Sequence, residues 1–335
     1  MKFTRKKDEK KTEQEKIEER REEVLARGRK FKYPLQWTKH RVVVNTILIA
    51  VVTLAILVTS GWLALYQFGD TSEMLFRVTK ILPVPVANID GESVKFSDYL
   101  MFYRSGITAV ERQDGQSVTE GDIDILRAQY KRMALNSAEE YTYAAKLARE
   151  LNITVTNEEI QNEFNRHLSI GGAERSEAGF MKIIEENFGL SREEYDRMIY
   201  LTLLKAKVEA EIDTNANNLA SQIENMLAEN GGSYSAVAAA LGDAIEYQET
   251  GGMVSNQNID GGRAAEAFKL EAGGQSGKFV SMNGDGYYFV KLIGKTDTEV
   301  DFVSIKVPFT EFDKRIGELR ENGGVVEYIK TTSEE

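Results

Sequence analysis

The sequence predicts an α+β protein with a single transmembrane helix, a helical domain and a small α+β domain after it. Residues 42–66 contain no charged side chain, and residues 97–213 place apolar residues at helical spacing. From residue 251 onwards, short strand-like runs alternate with Gly-rich turns. The chain has 335 residues, 42% of them hydrophobic, which is enough for two modest domains.

The charge distribution indicates a membrane between two parts of the chain. Residues 1–41 carry 15 basic and 8 acidic residues, whereas the chain after residue 66 carries 27 basic and 45 acidic residues. As a helix, the uncharged segment 42–66 would extend about 37 Å, which exceeds the roughly 30 Å hydrocarbon core of a bilayer. Trp37, Trp62 and Tyr66 lie near its two ends, where interfacial aromatic residues are common. We therefore predict a membrane anchor at 42–66.

The basic residues before the segment predict its orientation. Residues 27–41 hold six Lys and Arg and no acidic residue, which favours a charged cytoplasmic tail at 1–41 and an extracytoplasmic remainder. The same residues would also suit a polybasic patch for anionic lipid headgroups. A cleaved signal peptide fits less well, because the apolar run is too long and starts too late. The predicted location is the cell membrane, with a single pass.

Several classes of chemistry are disfavoured by composition. The chain has no cysteine and only two histidines, so it lacks thiolate ligands and any His cluster for a metal. Its Gly pairs do not fit a phosphate-binding motif, and the net charge of −18 after residue 66 argues against nucleic acid. We expect no cofactor, no metal and no nucleic-acid partner.

Residues 67–85 predict a juxtamembrane helix and a Pro-containing linker. Met74, Val78 and Ile81 fall on one helical face, and Pro83 and Pro85 end the helix. Residues 86–89 and 93–96 then form two short strands joined by an Asp-Gly turn, followed by a helix from about residue 97.

Two capping boxes mark helices within the predicted helical domain, 86–213. Thr156 with Glu159 opens one helix, and Ser191 with Glu194 opens another. Each helix has one apolar and one charged face, so these helices must pack on one another or on a partner.

The order of these features resembles the N-terminal domain of the SurA/PrsA/PpiD type of extracytoplasmic foldases. The resemblance rests on "VANIDGESV", "LARELNITVTNEEIQNEF" and "NFGLSREEYDRMIYLTLLKAKV", and covers residues 86–213. It implies a chaperone domain that binds unfolded or newly exported polypeptides. The sequence carries no signal for the oligomeric state.

Residues 214–335 resemble a parvulin-type (PpiC-type) prolyl isomerase domain. The family's motifs correspond to "GGMVS", "EAFKLEAGGQSGKF" and "GYYFVKL", in the family's order. Its first strand is missing before residue 217. The alternating run 303–307 is a candidate replacement, which would make the domain either circularly rearranged or decayed.

The resemblance assigns six positions to the proline pocket. The two histidines of the family are replaced by Tyr288 and Ser304, its Met by Ile259 and its cupping Phe by Arg263, while Phe268 and Ser276 remain. Isomerisation needs an apolar cup that favours the twisted amide, and a guanidinium fills that cup with charge. We therefore predict no catalytic residue.

The sequence favours a membrane-anchored extracytoplasmic chaperone of this foldase family, without strong isomerase activity. Two alternatives stay open. One is an active peptidyl-prolyl cis-trans isomerase with an altered pocket, and the other is a structural envelope protein that binds one fixed partner.

Overall fold

The computed structural model describes residues 13–113, 120–169 and 174–331, without the side chains of 28–40, 111, 113 and 120–122. The chain divides into two compact units, Met1–Gln67 and Phe68–Glu335. Over the described residues the protein is mostly helical with two small sheets, which confirms the predicted α+β class.

The first unit is helical throughout its described part. Helix α1 runs from Glu13 to Trp62 and continues as a π-helical turn, Leu63–Gln67. Residues Arg41–Gln67 are long and apolar enough to cross a membrane. The predicted interfacial side chain of Trp37 lies outside the described residues, as does part of the predicted tail 1–41. Trp62 is half exposed, with its ring centroid 5.9 Å from that of Tyr66.

The second unit begins with helices around a small hairpin. Its first elements are α2 (Glu73–Ile81), β1 (Pro85–Ile89), β2 (Glu92–Lys95), α3 (Phe96–Gln113), α4 (Glu120–Leu151), α5 (Asn157–Leu168), α6 (Glu177–Phe188) and α7 (Arg192–Ile212).

Local sequence signals determine where several of these elements start. Thr156 and Glu159 form the predicted capping box of α5, and Ser191 and Glu194 form that of α7. The turn between β1 and β2 has Asp90 at φ 49° and Gly91 at φ 82°, a conformation that Asp-Gly adopts readily.

A second sheet follows, with helices on both faces. Its elements are α8 (Thr214–Glu229), α9 (Tyr234–Leu241), β3 (Glu246–Glu249), β4 (Val254–Ser255), α10 (Arg263–Phe268), β5 (Phe279–Val280), β6 (Gly286–Lys295) and β7 (Glu299–Pro308). The strand order is β3-β7-β6-β5, all antiparallel, with β4 also paired to β7. Ile223 and Val237 pack on one face with Phe289, whereas Ala264 packs on the other with Leu292. Two apolar cores therefore hold the sheet.

The run 303–307, predicted as a replacement strand, lies inside β7 at the middle of this sheet. It pairs with β6 on one side and with β3 on the other. Val303, Ile305 and Val307 are buried, because both edges of β7 are paired and α8 and α9 cover one face.

The chain then returns to the first sheet. Helix α11 (Glu311–Glu321) is followed by β8 (Val325–Glu327), which pairs antiparallel with β1 and gives the order β2-β1-β8. Arg320 forms an ion pair of 3.2 Å with the fully buried Glu139 of α4. The predicted range of the second domain, 214–335, thus includes a segment whose strand completes the first sheet.

Candidate functional site

Three of the six predicted pocket positions lie together at the centre of the second sheet. Arg263, the first residue of α10, donates from Nη1 to Gln248 Oε1 at 2.6 Å and to Ser304 Oγ at 3.3 Å. Its Nε donates to the carbonyl of Asp260 at 2.8 Å, and its guanidinium carbon lies 5.1 Å from the Tyr288 ring centroid. Among the described residues, no carboxylate lies within ion-pair distance of Arg263. The guanidinium thus connects β3, α10 and β7.

Tyr288 extends this network towards a partly exposed ion pair. The ring is 3% exposed, and its hydroxyl donates to Asp285 Oδ2 at 3.2 Å. Lys306 Nζ lies 3.0 Å from the same oxygen. Burial, followed by the charge of Asp285, raises the pKa of Tyr288, so the phenol stays protonated. Burial alone would raise the pKa of Asp285, but Ser281 and Lys306 outweigh it and lower that pKa.

The other three predicted positions have different surroundings. Ile259 is 67% exposed. Phe268 packs against the apolar core on the α10 face of the sheet. Ser276 connects the chain to β6, because its amide donates to the Val290 carbonyl at 2.8 Å and its Oγ accepts from the Val290 amide at 3.0 Å. Phe268 and Ser276 therefore contribute to packing and to strand connection in the sheet domain.

The network around Arg263 is chemically unsuited to cup a proline ring. A prolyl ring would have to replace a guanidinium that is hydrogen-bonded to Gln248 and Ser304. Gln248 is exposed and could bond to water instead, but Ser304 is 1% exposed, so its hydroxyl would lose a donor that water does not easily replace, at a cost of about 1–3 kcal/mol.

A second feature is an apolar groove between α7 and the loop that joins β5 to β6. It consists of two adjoining cavities of about 590 and 320 Å³, which share Leu203 and Met282. The larger is also lined by Ile153, Ala206, Ala210, Val280 and Tyr287, and the smaller by Tyr195, Met198, Ile199, Thr202 and Ile259. We call it the α7 groove. Its lining is mainly apolar and partly exposed, as a site for extended apolar segments requires.

Close contact at one end fixes the width of the α7 groove. A Cβ on Gly284 would lie 2.7 Å from Ala206 Cβ, so only glycine allows the loop to touch α7 this closely. Beside it, the Tyr287 hydroxyl donates to the Ala210 carbonyl at 3.0 Å. Sequence reasoning treated the apolar residues of α7 as one core face and missed the groove. One sequence signal for the groove was available, because apolar residues occur on more than one side of α7. The helix buries Leu201, Leu204 and Val208 on sides away from the groove.

Polar side chains line the other end of the groove. His167 lies 2.8 Å from the Tyr195 hydroxyl through Nδ1 and 3.2 Å from Glu163 through Nε2. Burial would raise the pKa of Glu163, but His167 and Arg166 outweigh it and lower the pKa to about 2. Burial, with the charge of Glu163 second, raises the pKa of Tyr195 to about 12. This end of the groove therefore holds a fixed carboxylate at neutral pH.

A separate cavity of about 520 Å³ lies between α2, α3 and α7. Charged residues dominate its lining, including the ion pair of Arg197 with Asp98 at 2.9 Å and the pair of Lys80 with Glu193 at 3.4 Å. Its lining holds more charged side chains than that of the α7 groove, although its accessible surface is similarly apolar.

Comparison with known families gives one match, which covers the helical part of the chain. The family model described as SurA-like N-terminal domain matches residues 35–209, more than half of the chain. No curated protein and no solved structure matches the chain. With its hairpin, capped helices and groove-forming α7 inside or beside the matched range, the chain belongs to the SurA-like N-terminal domain family.

Proposed function

We propose that the protein is a membrane-anchored extracytoplasmic chaperone that binds unfolded, newly exported polypeptides and lacks strong prolyl-isomerase activity. The observation that carries this proposal is the α7 groove, an apolar surface built partly from the family domain. Chaperone-like binding is what a SurA-like N-terminal domain implies.

The anchor is the apolar segment Arg41–Gln67, which is long enough to cross a bilayer. The six basic residues at 27–41 favour a cytoplasmic N-terminus, and the acidic remainder would then lie outside the membrane.

For the second domain we propose a parvulin-like sheet whose first strand is supplied from the chain end. The support is the position of β7, which pairs with β6 on one side and with β3 on the other. This arrangement favours a sheet whose strand order along the chain is rearranged over a sheet that has lost a strand, because β7 occupies the position between β3 and β6. We place the domain at residues 214–308 and group residues 309–331 with the first sheet, which β8 completes.

The position of Arg263 supports the proposal of weak or absent isomerase activity. A guanidinium that lies 5.1 Å from the Tyr288 ring centroid and is hydrogen-bonded to Ser304 stands where the resemblance places an aromatic cup. Such a site offers a prolyl ring charge in place of apolar contact, so it does not favour a twisted amide over a planar one.

Aggregation of a chemically unfolded client tests binding at the α7 groove. Full-length protein in detergent micelles should suppress the aggregation, and Met282→Asp should weaken suppression by placing a carboxylate in the groove. Met253→Asp is the matched control, since Met253 is 47% exposed against 36% for Met282 and lines neither cavity of the groove. If Met282→Asp and Met253→Asp suppressed client aggregation equally well, the groove would be excluded as the binding site.

Cis/trans isomerisation of a proline peptide separates the proposal from the first alternative. We expect the uncatalysed rate, set by a barrier of about 18–20 kcal/mol. A catalysed rate that falls on Tyr288→Ala would establish an isomerase with an altered pocket. Failure to suppress aggregation, together with tight binding to one envelope protein, would instead establish the structural alternative.

A further inference from the structure

Helix α2 carries a second apolar face that points away from the protein. Phe76 and Thr79 are 3% and 2% exposed and face the body of the unit. On the opposite side, Met74 and Ile81 are 76% and 83% exposed, and Val78 lies between them. Leu82, which follows the helix in extended backbone, is exposed as well. The spacing of 74, 78 and 81 places these side chains along one line of the helix. We call Met74, Val78, Ile81 and Leu82 the α2 stripe.

The α2 stripe is displayed by a helix that is held in place. The guanidinium of Arg104 lies 4.5 Å from the Phe76 ring centroid on the packed face. At the other end of the helix, Lys80 forms ion pairs of 3.4 Å with Glu193 and 3.6 Å with Glu194, at the start of α7. The stripe therefore cannot turn inward without breaking contacts that already satisfy α2.

Chain connectivity identifies the surface nearest to the stripe. The apolar segment ends at Gln67, and five residues, 68–72, connect it to α2. Five extended residues reach at most about 18 Å. The connector is also restrained, because the Gly69 carbonyl accepts a hydrogen bond from Lys131 Nζ of α4 at 3.3 Å. If residues 41–67 span a bilayer, α2 starts within that reach of its surface.

We propose that the α2 stripe lies in the headgroup and acyl boundary of the same bilayer that residues 41–67 cross. The inference rests on the proposed membrane anchor, and its partner is a phospholipid surface. Side chains of this kind are those that interfacial helices bury about 5–10 Å into the membrane, with charged residues beside them. Arg77, three positions after Met74 and highly exposed, supplies such a flanking charge and pairs with Glu73. The stripe would give the second unit a membrane contact of its own, in addition to the anchor.

Site-directed spin labelling tests this inference, since the chain has no cysteine of its own. Single cysteines replace Met74 and Ile81 in the full-length protein, which is reconstituted in phosphatidylcholine and phosphatidylglycerol vesicles. Ile293→Cys is the control, an exposed apolar position on β6 that is 54% exposed. Leu54→Cys reports on the anchor.

We expect labels at 74 and 81 to collide several-fold less with a water-soluble nickel chelate, and more with oxygen, than the label at 293. Nickel exposure equal to that of 293, with a lipid-shielded label at 54, would overturn the stripe inference and leave the anchor intact. A nickel-exposed label at 54 would overturn both. Spin–spin broadening at 81 that persists in detergent would identify a second copy of the chain as the occupant and overturn the lipid proposal.

A further variant separates the apolar contact from mere proximity to the membrane. Met74→Ser combined with Ile81→Ser should raise the nickel accessibility of a label at Leu82→Cys, because the stripe loses most of its apolar area. Both positions are exposed, so the packed face of α2 is untouched. Unchanged accessibility at 82 would show that the apolar side chains do not hold the helix in the membrane.

Discussion

Gly284 provides the most direct test of how the sheet domain meets the helical domain. It has φ +73°, and an added Cβ would lie 2.7 Å from Ala206 Cβ and 3.1 Å from Ala206 Cα. In Gly284→Ala, the left-handed conformation costs about 1–2 kcal/mol. Forcing the loop away from α7 costs about 1–3 kcal/mol more, as overpacking usually does. We expect a loss of about 2–5 kcal/mol in the free energy of opening this contact.

Gly231→Ala is the matched control. Gly231 has φ +61°, and a Cβ there would meet nothing within 4 Å, so only the conformational cost applies. The difference between the two variants therefore measures the contact with α7. Adding Ala206→Gly to Gly284→Ala removes the nearest atom and should recover part of that difference.

The assay must report on the second unit alone. Trp37 and Trp62 both lie in the first unit, so tryptophan fluorescence does not follow this contact. Amide hydrogen exchange in detergent micelles measures the opening of individual segments. Gly284→Ala should speed exchange in α7 and at 281–286 much more than Gly231→Ala does. Equal effects of the two variants would refute the role assigned to the contact.

Three further predictions concern carboxylates, of which Asp213 and Glu139 are buried and Glu163 is partly buried. Asp213 accepts from the backbone amides of residues 216, 310 and 311 at 2.8, 2.7 and 3.0 Å, so its replacement by Ala should cost about 2–3 kcal/mol. Burial would raise the pKa of Asp213, but these amides outweigh it and lower the pKa. The stabilisation is therefore present above the unfolded pKa of about 3.9 and should disappear in acid denaturation as pH falls below it. Arg320→Met should cost about 1–3 kcal/mol at pH 7 by leaving Glu139 unpaired. Burial raises the pKa of Glu139, so protonation should reduce this penalty as pH falls, which urea titrations at pH 7 and 5 would show. Glu163→Gln should remove the stabilisation that wild-type protein loses as pH falls from about 4.3 towards 2, measured as a flatter acid-unfolding curve.

Local signals made several parts of the fold predictable. The capping boxes at Thr156 and Ser191 involve only neighbouring residues, so they locate helix starts without knowledge of the tertiary structure. The alternating run in β7 predicted a strand with one buried row of side chains, and the strand is present. The second row is buried too, at Phe302 and Ser304, because α10 packs on that face of the sheet. The role of this run as a replacement for a missing first strand stays a proposal, which the place of β7 between β3 and β6 supports.

The sequence predicts whether a segment forms a helix or a strand better than it predicts which strand that segment pairs with. Strand β8 has three residues, too few for an alternation that would indicate its neighbour. Its partner depends on which sheet edge is open, and β1 offers one because β2 pairs only with its other side. Only the folded chain shows that Arg132 and Glu327 meet at 2.6 Å beside this edge.

The residues of the candidate site also differ in how far the sequence could predict their neighbours. Register alone brought Tyr288 and Ser304 into one neighbourhood, since β6 and β7 form a hairpin whose pairing follows from the turn. The α7 groove could not be predicted from the sequence. An apolar residue such as Leu203 gives the same helical pattern whether it packs in the protein core or lines an exposed groove.

The hydrogen bonds around Arg263 also determine whether a single substitution there could create a proline pocket. Arg263→Ala would open space above Tyr288 but leave the phenol hydrogen-bonded to Asp285 and Asp285 paired with Lys306. A pocket for a twisted prolyl amide would still face a carboxylate and an ammonium group, both of which favour water over an apolar ring. Apolar surface for a polypeptide is therefore available at the α7 groove rather than around Arg263, and Arg263→Ala alone should not create a proline pocket.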